Sequence, residues 1–491
     1  MNLDILINEL IIYGINKQLI KDTDYNYVAN RLIALYNEKS FIKLNVIPRQ
    51  LHLILTDLAN LAFEKKIIQS ADVVTLDNFK AKIMDELLPK PSEVIAKFWS
   101  NYQISPKMAT DYLYKLSIDA NYVQAYRNLQ NESWEYQTKY GVLQLTINLA
   151  KPEKDPKLIA LQKSINFGYP KCQLCIENEG YQGHIGYDSK ANMRIIPIVL
   201  NGEKWRFQYS PYSYYNEHSI VLNEEHVPMV INEATFKKLI AFLDLFPHYF
   251  IGSNAGLPIV GGSILSHEHY QAGYYHFPIE DAKEIFLGKY KSVDVYRLIW
   301  PMSTIRIKAK DKNELIEYAS KILNSWQNYQ NEKLSIINSK EELHNTITPI
   351  ARKYNDMYVF DLVLRNNYTN AQYPDGVFHI HPEYYNIKKE NIGLIEAMGL
   401  GILPPRLKKE LLVIEEILKG KITKIDDSSM LLHKEWISEL LENYDRNIEP
   451  AKYIRIEAVK RFQKMLECAA PFKQDDYSIE CFNEFIKNVI N

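Results

Sequence analysis

The sequence predicts an α+β fold in which antiparallel sheet lies between helical segments at the two ends of the chain. Three observations support this prediction. Apolar residues recur every three or four positions through most of residues 1–135, which is helical spacing. Alternation of apolar and polar residues begins near Leu143 and returns in many short runs, which is typical of strands. Helical spacing then resumes over residues 391–491.

Residues 1–135 form the predicted helical N-terminal region. Ser105 followed by Pro106 is typical of the start of a helix, because serine caps the free backbone N–H groups and proline has none to leave unpaired. This region holds no catalytic constellation. We therefore expect a packing layer or a dimerisation layer, and the sequence leaves a homodimer open. The helical spacing is clearest over Leu3–Leu19, Val74–Leu88 and Met108–Ile118.

The middle of the chain is assigned to two sheet domains, residues 136–290 and residues 291–390, and a helical C-terminal region follows at 391–491. Amphipathic helices are expected between the strands, notably at Glu233–Leu245 and Glu314–Lys333. A second block of strands between Ile305 and Pro382 indicates a duplicated or paired sheet domain. The predicted strands are the runs LQLTINL, RIIPIVL, WRFQYSP, HSIVLN, YFIGSN, TIRIKAK, MYVFDLVLR and VFHIHP.

Composition excludes several classes of protein. The 58 basic and 60 acidic side chains nearly cancel, so no global positive field exists to hold nucleic acid or an anionic membrane. No apolar run reaches the roughly 18 residues that a membrane span requires. The first residues lack a basic segment and a cleavage site, which argues against a signal peptide. Four cysteines in 491 residues are few for a secreted protein, and we expect a cytoplasmic location.

The segment GGSILSHEHYQAG, residues 261–273, carries the strongest local signal for chemistry. If it forms a strand, His267, His269 and Gln271 lie on one face of the sheet. A neutral imidazole can attack phosphorus, and a neighbouring amide can stabilise charge on the phosphate oxygens. Gly262 and the glycine before it would let backbone N–H groups approach a phosphate closely. The alternative is a pair of ordinary polar-face histidines.

A second signal is the CxxC pair, whose spacing allows two thiolates to bind one metal ion. A redox pair and a chance occurrence are the alternatives. Because no second CxxC follows, a complete site needs histidines, and His184 and His218 are less well placed than two others. The candidate ligand set is Cys172, Cys175, His226 and His267. Such a closed tetrahedral site would be structural and would fix His267 beside the reactive histidine.

At these residues the sequence resembles galactose-1-phosphate uridylyltransferase, specifically the longer second class found in Gram-positive bacteria. The resemblance covers most of the chain and implies two histidine-triad-like antiparallel half-barrel domains with helical additions at both ends. It is carried by long and unusual strings, which are NFGYPKCQLCIENEGYQGHIGYDSKANMRIIPI, QYSPYSYYNEHSIVLNEEHVPM, FPHYFIGSNAGLPIVGGSILSHEHYQAG and VFHIHPEYYNIKKENIGLIEAMGLGILPPRL.

The resemblance implies roles for the residues already singled out. His269 takes the position of the nucleophile, and Gln271 takes that of the residue holding a phosphate oxygen of the uridylyl group. The CxxC pair, His226 and His267 take the positions of the zinc ligands. The chain departs from the shorter class, which has HPHGQ where this sequence has HEHYQ, so the proline that shapes that turn is absent.

Further expectations concern the substrate and a second metal. Asn254 and Ser263 match positions that contact the nucleotide phosphates, although the spacing from Asn254 to the histidines is longer here than in the shorter class. The basic stretch KPEKDPK, residues 151–157, falls where the family has phosphate-binding residues. His379 and His381 resemble an HxH pair that binds a second, non-catalytic metal in the shorter class.

The implied reaction is a ping-pong exchange in galactose metabolism, the Leloir pathway. The nucleophilic histidine takes UMP from UDP-glucose and releases glucose 1-phosphate, and galactose 1-phosphate then accepts the UMP. Two other interpretations share part of the motif set. One is a histidine-triad-type dinucleotide phosphorylase or hydrolase, and the other is a non-catalytic zinc-stabilised binding protein. His269 and Gln271 argue against the second, because a purely structural site needs neither.

Overall fold

The computed structural model describes residues 2–149, 168–184, 186–262, 264–338, 342–422 and 428–491. The N-terminal region is helical, as predicted, up to a first strand that begins at Glu132. Asn2, Asp72 and Ser105 cap their helices through side-chain oxygens that accept backbone N–H groups. The helices are α1 (Leu3–Asn16), α2 (Tyr25–Leu35), α3 (Leu51–Glu64), α4 (Val73–Asp85), α5 (Pro91–Tyr102), α6 (Pro106–Asp119) and α7 (Ala125–Asn128).

The central feature is a ten-stranded sheet made of two five-stranded units with the same topology. In each unit the first three strands form a meander, and a helix then leads to the last two strands. The units meet at β6 and β11, which pair antiparallel. The first contains β3 (Ile196–Leu200), β4 (Glu203–Tyr209), β5 (Ser219–Asn223), β6 (Phe250–Gly252) and β7 (His269–Gly273). The second contains β8 (Glu284–Tyr290), β9 (Val293–Leu298), β10 (Thr304–Ala309), β11 (Asn345–Tyr354) and β12 (Met357–Asn366).

The crossing helices are α8 (Glu233–Leu245) and α9 (Lys312–Gln327), which occupy equivalent places in the two units and pack against each other. Their apolar faces and those of the N-terminal helices share one core with the sheet, in which Phe98, Phe207 and Phe360 are fully buried. The N-terminal helices therefore serve as a packing layer. Burial of this apolar area is the main source of stability for the sheet that carries the candidate site.

A second core lies beneath a three-stranded sheet, in which β2 pairs with both neighbours. C-terminal helices cover it, and Phe462 and Trp436 are buried there. Its strands are β1 (Glu132–Thr138), β2 (Gly141–Ile147) and β13 (Leu400–Leu403). The helices are α10 (Leu394–Ala397), α11 (Leu407–Leu418), α12 (Lys434–Asn443) and α13 (Pro450–Cys468). The last helix, α14 (Asp476–Ile490), packs instead against β8 and α9 and belongs to the first core.

The predicted α+β class, with an antiparallel unit present twice between helical ends, is confirmed. The helix predicted at Glu233–Leu245 is α8 with the same bounds, and α9 begins and ends earlier than predicted. The strand predicted at VFHIHP is wrong, because this segment is irregular and leads into a helical turn at Pro382–Tyr384. In the part of the chain that the structure describes, no helix is both long and apolar enough to cross a bilayer.

Candidate active site and metal centre

His269 opens β7, a central strand of the first unit that pairs with β5 on one side and β6 on the other. The expected alternation is present. Glu268 and Tyr270 are hydrogen-bonded to each other, and Glu268 contacts Lys238 of α8, so this pair lies on the face opposite His269. Leu222 of β5 lies opposite His269 in the register, and Ile220 lies opposite Gln271. The sequence folds this way because β-strand geometry sends alternate side chains to opposite faces.

The imidazole of His269 has a defined tautomer. Its Nδ1 lies 2.8 Å from the backbone oxygen of His267. Because a carbonyl oxygen only accepts hydrogen bonds, Nδ1 must carry the proton, and Nε2 keeps its lone pair. Burial lowers the pKa of His269 below its ordinary value, which favours the neutral ring. A buried neutral imidazole whose Nε2 carries a lone pair is suited to attack an electrophilic phosphorus.

The opposite face of the HEHYQ segment is anchored by a buried carboxylate. Glu268 accepts hydrogen bonds from Lys238 at 3.0 and 3.2 Å, from Asn223 at 2.9 Å and from Tyr270 at 2.9 Å. The backbone N–H of Glu268 also donates to Val227 at 2.7 Å. A proline has no N–H and could not make that bond. The turn is therefore held differently here, where glutamate replaces the proline of the shorter class.

Two thiols and two imidazoles converge beside this strand, and their ligand atoms all lie within 4.8 Å of one another. The Sγ atoms of the two cysteines are 3.6 Å apart, and imidazole Nδ1 atoms lie 3.2 and 3.3 Å from them. Burial and the nearby Cys172 raise the pKa of the Cys175 thiol, so the pair needs a cation to become two thiolates. This group could hold a metal ion, and its members are Cys172, Cys175, His226 and His267.

Neighbouring polar groups hold these ligands in place. His267 donates from Nε2 to the backbone oxygen of Asn223 at 2.8 Å, which leaves Nδ1 free to face the cysteines. The amide of Asn178 donates to the backbone oxygens of both Cys172 and Cys175 at 2.8 Å and fixes their turn. The sequence interpretation missed Asn178, although its place three residues after the CxxC pair was a signal of a rigid ligand loop.

Gln271 contacts His218, a histidine that the sequence analysis judged less well placed as a metal ligand. Its Oε1 lies 3.2 Å from Nε2 of His218, which is buried just before β5. Gln271 itself is only partly buried. His218 belongs to no sequence motif. The signal that could have pointed to it is its position two residues before Ile220, which lies opposite Gln271 in the pairing of β5 with β7.

Asn254 and Gly262 lie side by side. A Cβ atom on Gly262 would come within 2.8 Å of Nδ2 of Asn254. The Oδ1 of Asn254 accepts the backbone N–H of Leu394 at 2.9 Å, which turns its amide nitrogen towards the glycine. Asn254 follows β6 at the end of the sheet where β7 begins. Ser263 and residues 151–157 lie outside the described residues.

Within the described residues, no group of three or more metal-binding side chains forms at His379 and His381. His379 is buried, with its ring nitrogens 3.0 Å from the backbone oxygen of Ile380 and 3.1 Å from Oδ1 of Asn391. His381 stacks on Tyr373. Among the described residues, the group of metal-binding side chains found does not include this pair. The expected second metal gains no support from this arrangement.

Comparison with known proteins gives consistent matches along the chain. The model of the galactose-1-phosphate uridyl transferase N-terminal domain matches residues 18–228, and that of the C-terminal domain matches residues 242–437. A solved structure of yeast Ap4A phosphorylase Apa2 in complex with Ap4A is similar at 16% identity and a TM-score of 0.34, over 61% of this chain and 92% of its own.

Curated relatives match over nearly the full length. The galactose-1-phosphate uridylyltransferase of Clostridium perfringens is 46% identical over 99% of this chain and 99% of its own. The protein of the same name from Clostridium acetobutylicum is 47% identical over 98% of each chain. That from Lactococcus lactis is 44% identical over 99% of each. With both family models matched and such identity over full length, the chain belongs to the galactose-1-phosphate uridylyl transferase family.

Proposed function

We propose that this protein transfers UMP from UDP-glucose to galactose 1-phosphate through a uridylyl-histidine at His269. The observation that carries the proposal is the buried imidazole whose Nδ1–H is bound to a backbone carbonyl, in a chain of this family. That bond fixes which nitrogen attacks. The other site residues serve the binding of phosphate oxygens and the stabilisation of their charge.

The first step needs a nucleophile and a way to hold charge. Nε2 of His269 attacks the α-phosphorus, a P–N bond forms, and the P–O bond to glucose 1-phosphate breaks. In the second step a phosphate oxygen of galactose 1-phosphate attacks the same phosphorus, and the P–N bond breaks to give UDP-galactose. The leaving group of the first step and the nucleophile of the second are both phosphate oxygens of low basicity, so no strong general acid or base is required.

Gln271 is assigned the stabilisation of negative charge on the non-bridging oxygens. Gln271 is partly buried and lies two residues after His269 on β7, hence on the same face of the sheet, and its side chain stays uncharged throughout the cycle. An uncharged donor supports transfer rather than hydrolysis, because it offers no base that could activate an attacking water. Asn254 and Ser263, together with the backbone of Gly262, are assigned to the nucleotide phosphates.

Zinc is the metal proposed for the four-ligand group. Two thiolates and two imidazoles are a set typical of closed tetrahedral zinc sites. A Zn–S bond of about 2.3 Å implies a separation of about 3.8 Å between two sulfur ligands, close to the observed 3.6 Å. Zinc held there would stabilise the turn before β7 and so fix His267, whose backbone oxygen orients His269. A site of two thiolates needs a reducing compartment, which supports a cytoplasmic location.

The test is an exchange assay with the purified protein. Incubation with UDP-glucose and galactose 1-phosphate is expected to yield glucose 1-phosphate and UDP-galactose, with parallel lines in a double-reciprocal plot as ping-pong kinetics require. A parallel incubation replaces both substrates by diadenosine tetraphosphate and inorganic phosphate. Turnover only in the second incubation would favour the dinucleotide phosphorylase instead. Turnover in neither, with zinc bound, would favour the non-catalytic binding protein.

A further inference from the structure

His218 and Gln271 are diagonal neighbours on the same face of two paired strands. Ile220 lies opposite Gln271 in the register, and His218 precedes it by two residues. The contact joins Nε2 of His218 and Oε1 of Gln271 at 3.2 Å. His218 therefore approaches Gln271 from the end of β7 that is remote from His269.

The polarity of this hydrogen bond can be deduced from burial. Nδ1 of His218 is buried and has no hydrogen-bond partner among the described residues. If Nδ1 carried the proton, a buried N–H donor would be left unpaired, which is rare and costly. Placing the proton on Nε2 leaves only a lone pair unpaired, and Nε2–H then donates to the carbonyl oxygen of Gln271. The NH2 group of Gln271 is consequently turned away from His218, on the side of the amide that is nearer the start of β7.

The surroundings keep His218 neutral and fixed. The rings of Tyr214 and Tyr215 lie 5.3 and 4.5 Å from its ring, measured between centroids. Burial lowers the pKa of His218 to about 3, against a smaller opposing effect of the bond to Gln271. A charged ring would also place an unpaired donor at Nδ1. The imidazole thus remains a single-donor group over the whole range in which an enzyme of this kind works.

We propose that His218 is a positioning residue for uridylyl transfer, which holds the carbonyl oxygen of Gln271 so that its NH2 group faces the phosphorus attacked by His269. Without the donor, the side-chain amide of Gln271 can present either its oxygen or its nitrogen to the phosphate. A carbonyl oxygen facing a phosphate oxygen is repulsive, so the fraction of productive enzyme falls. This inference rests on the proposed transfer reaction and adds a residue to it.

The experiment compares variants of His218 in each half-reaction by rapid quench. His218→Phe keeps a ring between the two tyrosines but removes the donor. It is expected to slow both half-reactions about tenfold, the factor that corresponds to one ordinary hydrogen bond, with little change in KM. His218→Gln places an amide nitrogen near the position of Nε2 and should recover most of the rate. His218→Asn, whose amide ends near the position of Nδ1, should not recover it.

A double-mutant cycle separates positioning from general damage. In a Gln271→Ala background, His218→Phe should cause no further loss, because no amide remains to be oriented. His248→Asn is the matched control, since His248 is a half-buried histidine that bonds Thr110 instead of Gln271, and its rate should match that of the unmodified enzyme. If His218→Phe does not fold, as judged by circular dichroism, the comparison of Gln with Asn gives the same test.

Two results would overturn the proposal. One is an equal loss from His218→Phe with and without Gln271, and the other is a folded His218→Gln no faster than His218→Asn. Failure of the proposed function is recognised separately, because the unmodified enzyme would then show no uridylyl exchange at all. In that case the contact between His218 and Gln271 would have no transfer reaction to serve.

Discussion

Glu268 provides the sharpest test of how the active strand is anchored. Its two carboxylate oxygens accept hydrogen bonds from three donors, the side chains of Lys238, Asn223 and Tyr270. Glu268→Gln keeps the size of the side chain but replaces one acceptor oxygen by an NH2 group. That group must then face a donor, either the ammonium group of Lys238 or an amide of Asn223, whose oxygen already accepts the N–H of Glu225.

The magnitude follows from the burial of the pair. Lys238 and Glu268 side chains are 7% and 10% exposed, and removing one partner of a buried ion pair costs about 3–5 kcal/mol. Lys238 retains a second contact at 2.9 Å with Glu203, which is 45% exposed, so the lower value of about 3 kcal/mol is expected. With a urea dependence of about 3 kcal/mol per molar, the unfolding midpoint should fall by about 1 M.

The assay is urea unfolding followed by tryptophan fluorescence, which reports on Trp205 stacked on Tyr270 in the same layer. Glu233→Gln is the matched control, because it breaks an exposed pair with Lys237 on α8 and should cost less than about 1 kcal/mol. A midpoint for Glu268→Gln that falls no further than that of the control would show that the buried carboxylate does not anchor the strand.

Three further predictions concern the metal, the amide and the core. Cys175→Ser should lose about one equivalent of zinc per chain and melt at a lower temperature, because a closed metal site stabilises the fold directly. Elemental analysis and calorimetry measure the two effects, and full zinc retention would contradict the ligand assignment. Gln271→Ala should slow both half-reactions by roughly 100- to 1,000-fold with unchanged zinc content, and unchanged rates would leave it only a space-filling role. Asp361→Asn should destabilise the protein by about 3–5 kcal/mol, because it leaves Arg306 and Arg352 buried without their shared carboxylate. Burial alone would raise the pKa of Asp361, but the two guanidinium groups outweigh it and lower that pKa. The stability difference should therefore be complete above about pH 4 and shrink at lower pH, and a difference that grows on acidification would be contrary to this assignment.

The fold was predictable where one period dominated the sequence. In residues 233–245, apolar side chains recur every three or four positions. Asn232 caps the start and Phe246 follows the end, and both predicted bounds agree with α8. In contrast, β11 escaped prediction. It contains Pro349 and Arg352, and proline argues against a central strand because it cannot donate to its neighbour. The structure places Pro349 where only its carbonyl is needed, accepting the N–H of Ser253 at 3.0 Å.

The site was predictable as far as its chemistry is local. Two short motifs determine the arrangement of their own side chains through spacing alone. They are the CxxC pair, Cys172 and Cys175, and the alternating His267, His269 and Gln271. The supporting residues were not predictable, because His218 meets Gln271 only through the pairing of β5 with β7. In the same way, nothing local joins Lys238 of α8 to the carboxylate between the histidines. Such contacts depend on tertiary packing rather than on spacing along the chain.

The central claim is that His269 carries the uridylyl group, and trapping that adduct tests it most directly. The enzyme is incubated with UDP-glucose labelled in its uridylyl half, without an acceptor, and then digested at alkaline pH. We expect an acid-labile, base-stable label on the imidazole of His269, released as UDP-galactose when galactose 1-phosphate is added before digestion. His269→Asn should bind zinc, fold and acquire no label. A label found on His267 or on any other residue, or a labelled His269→Asn protein, would contradict the account.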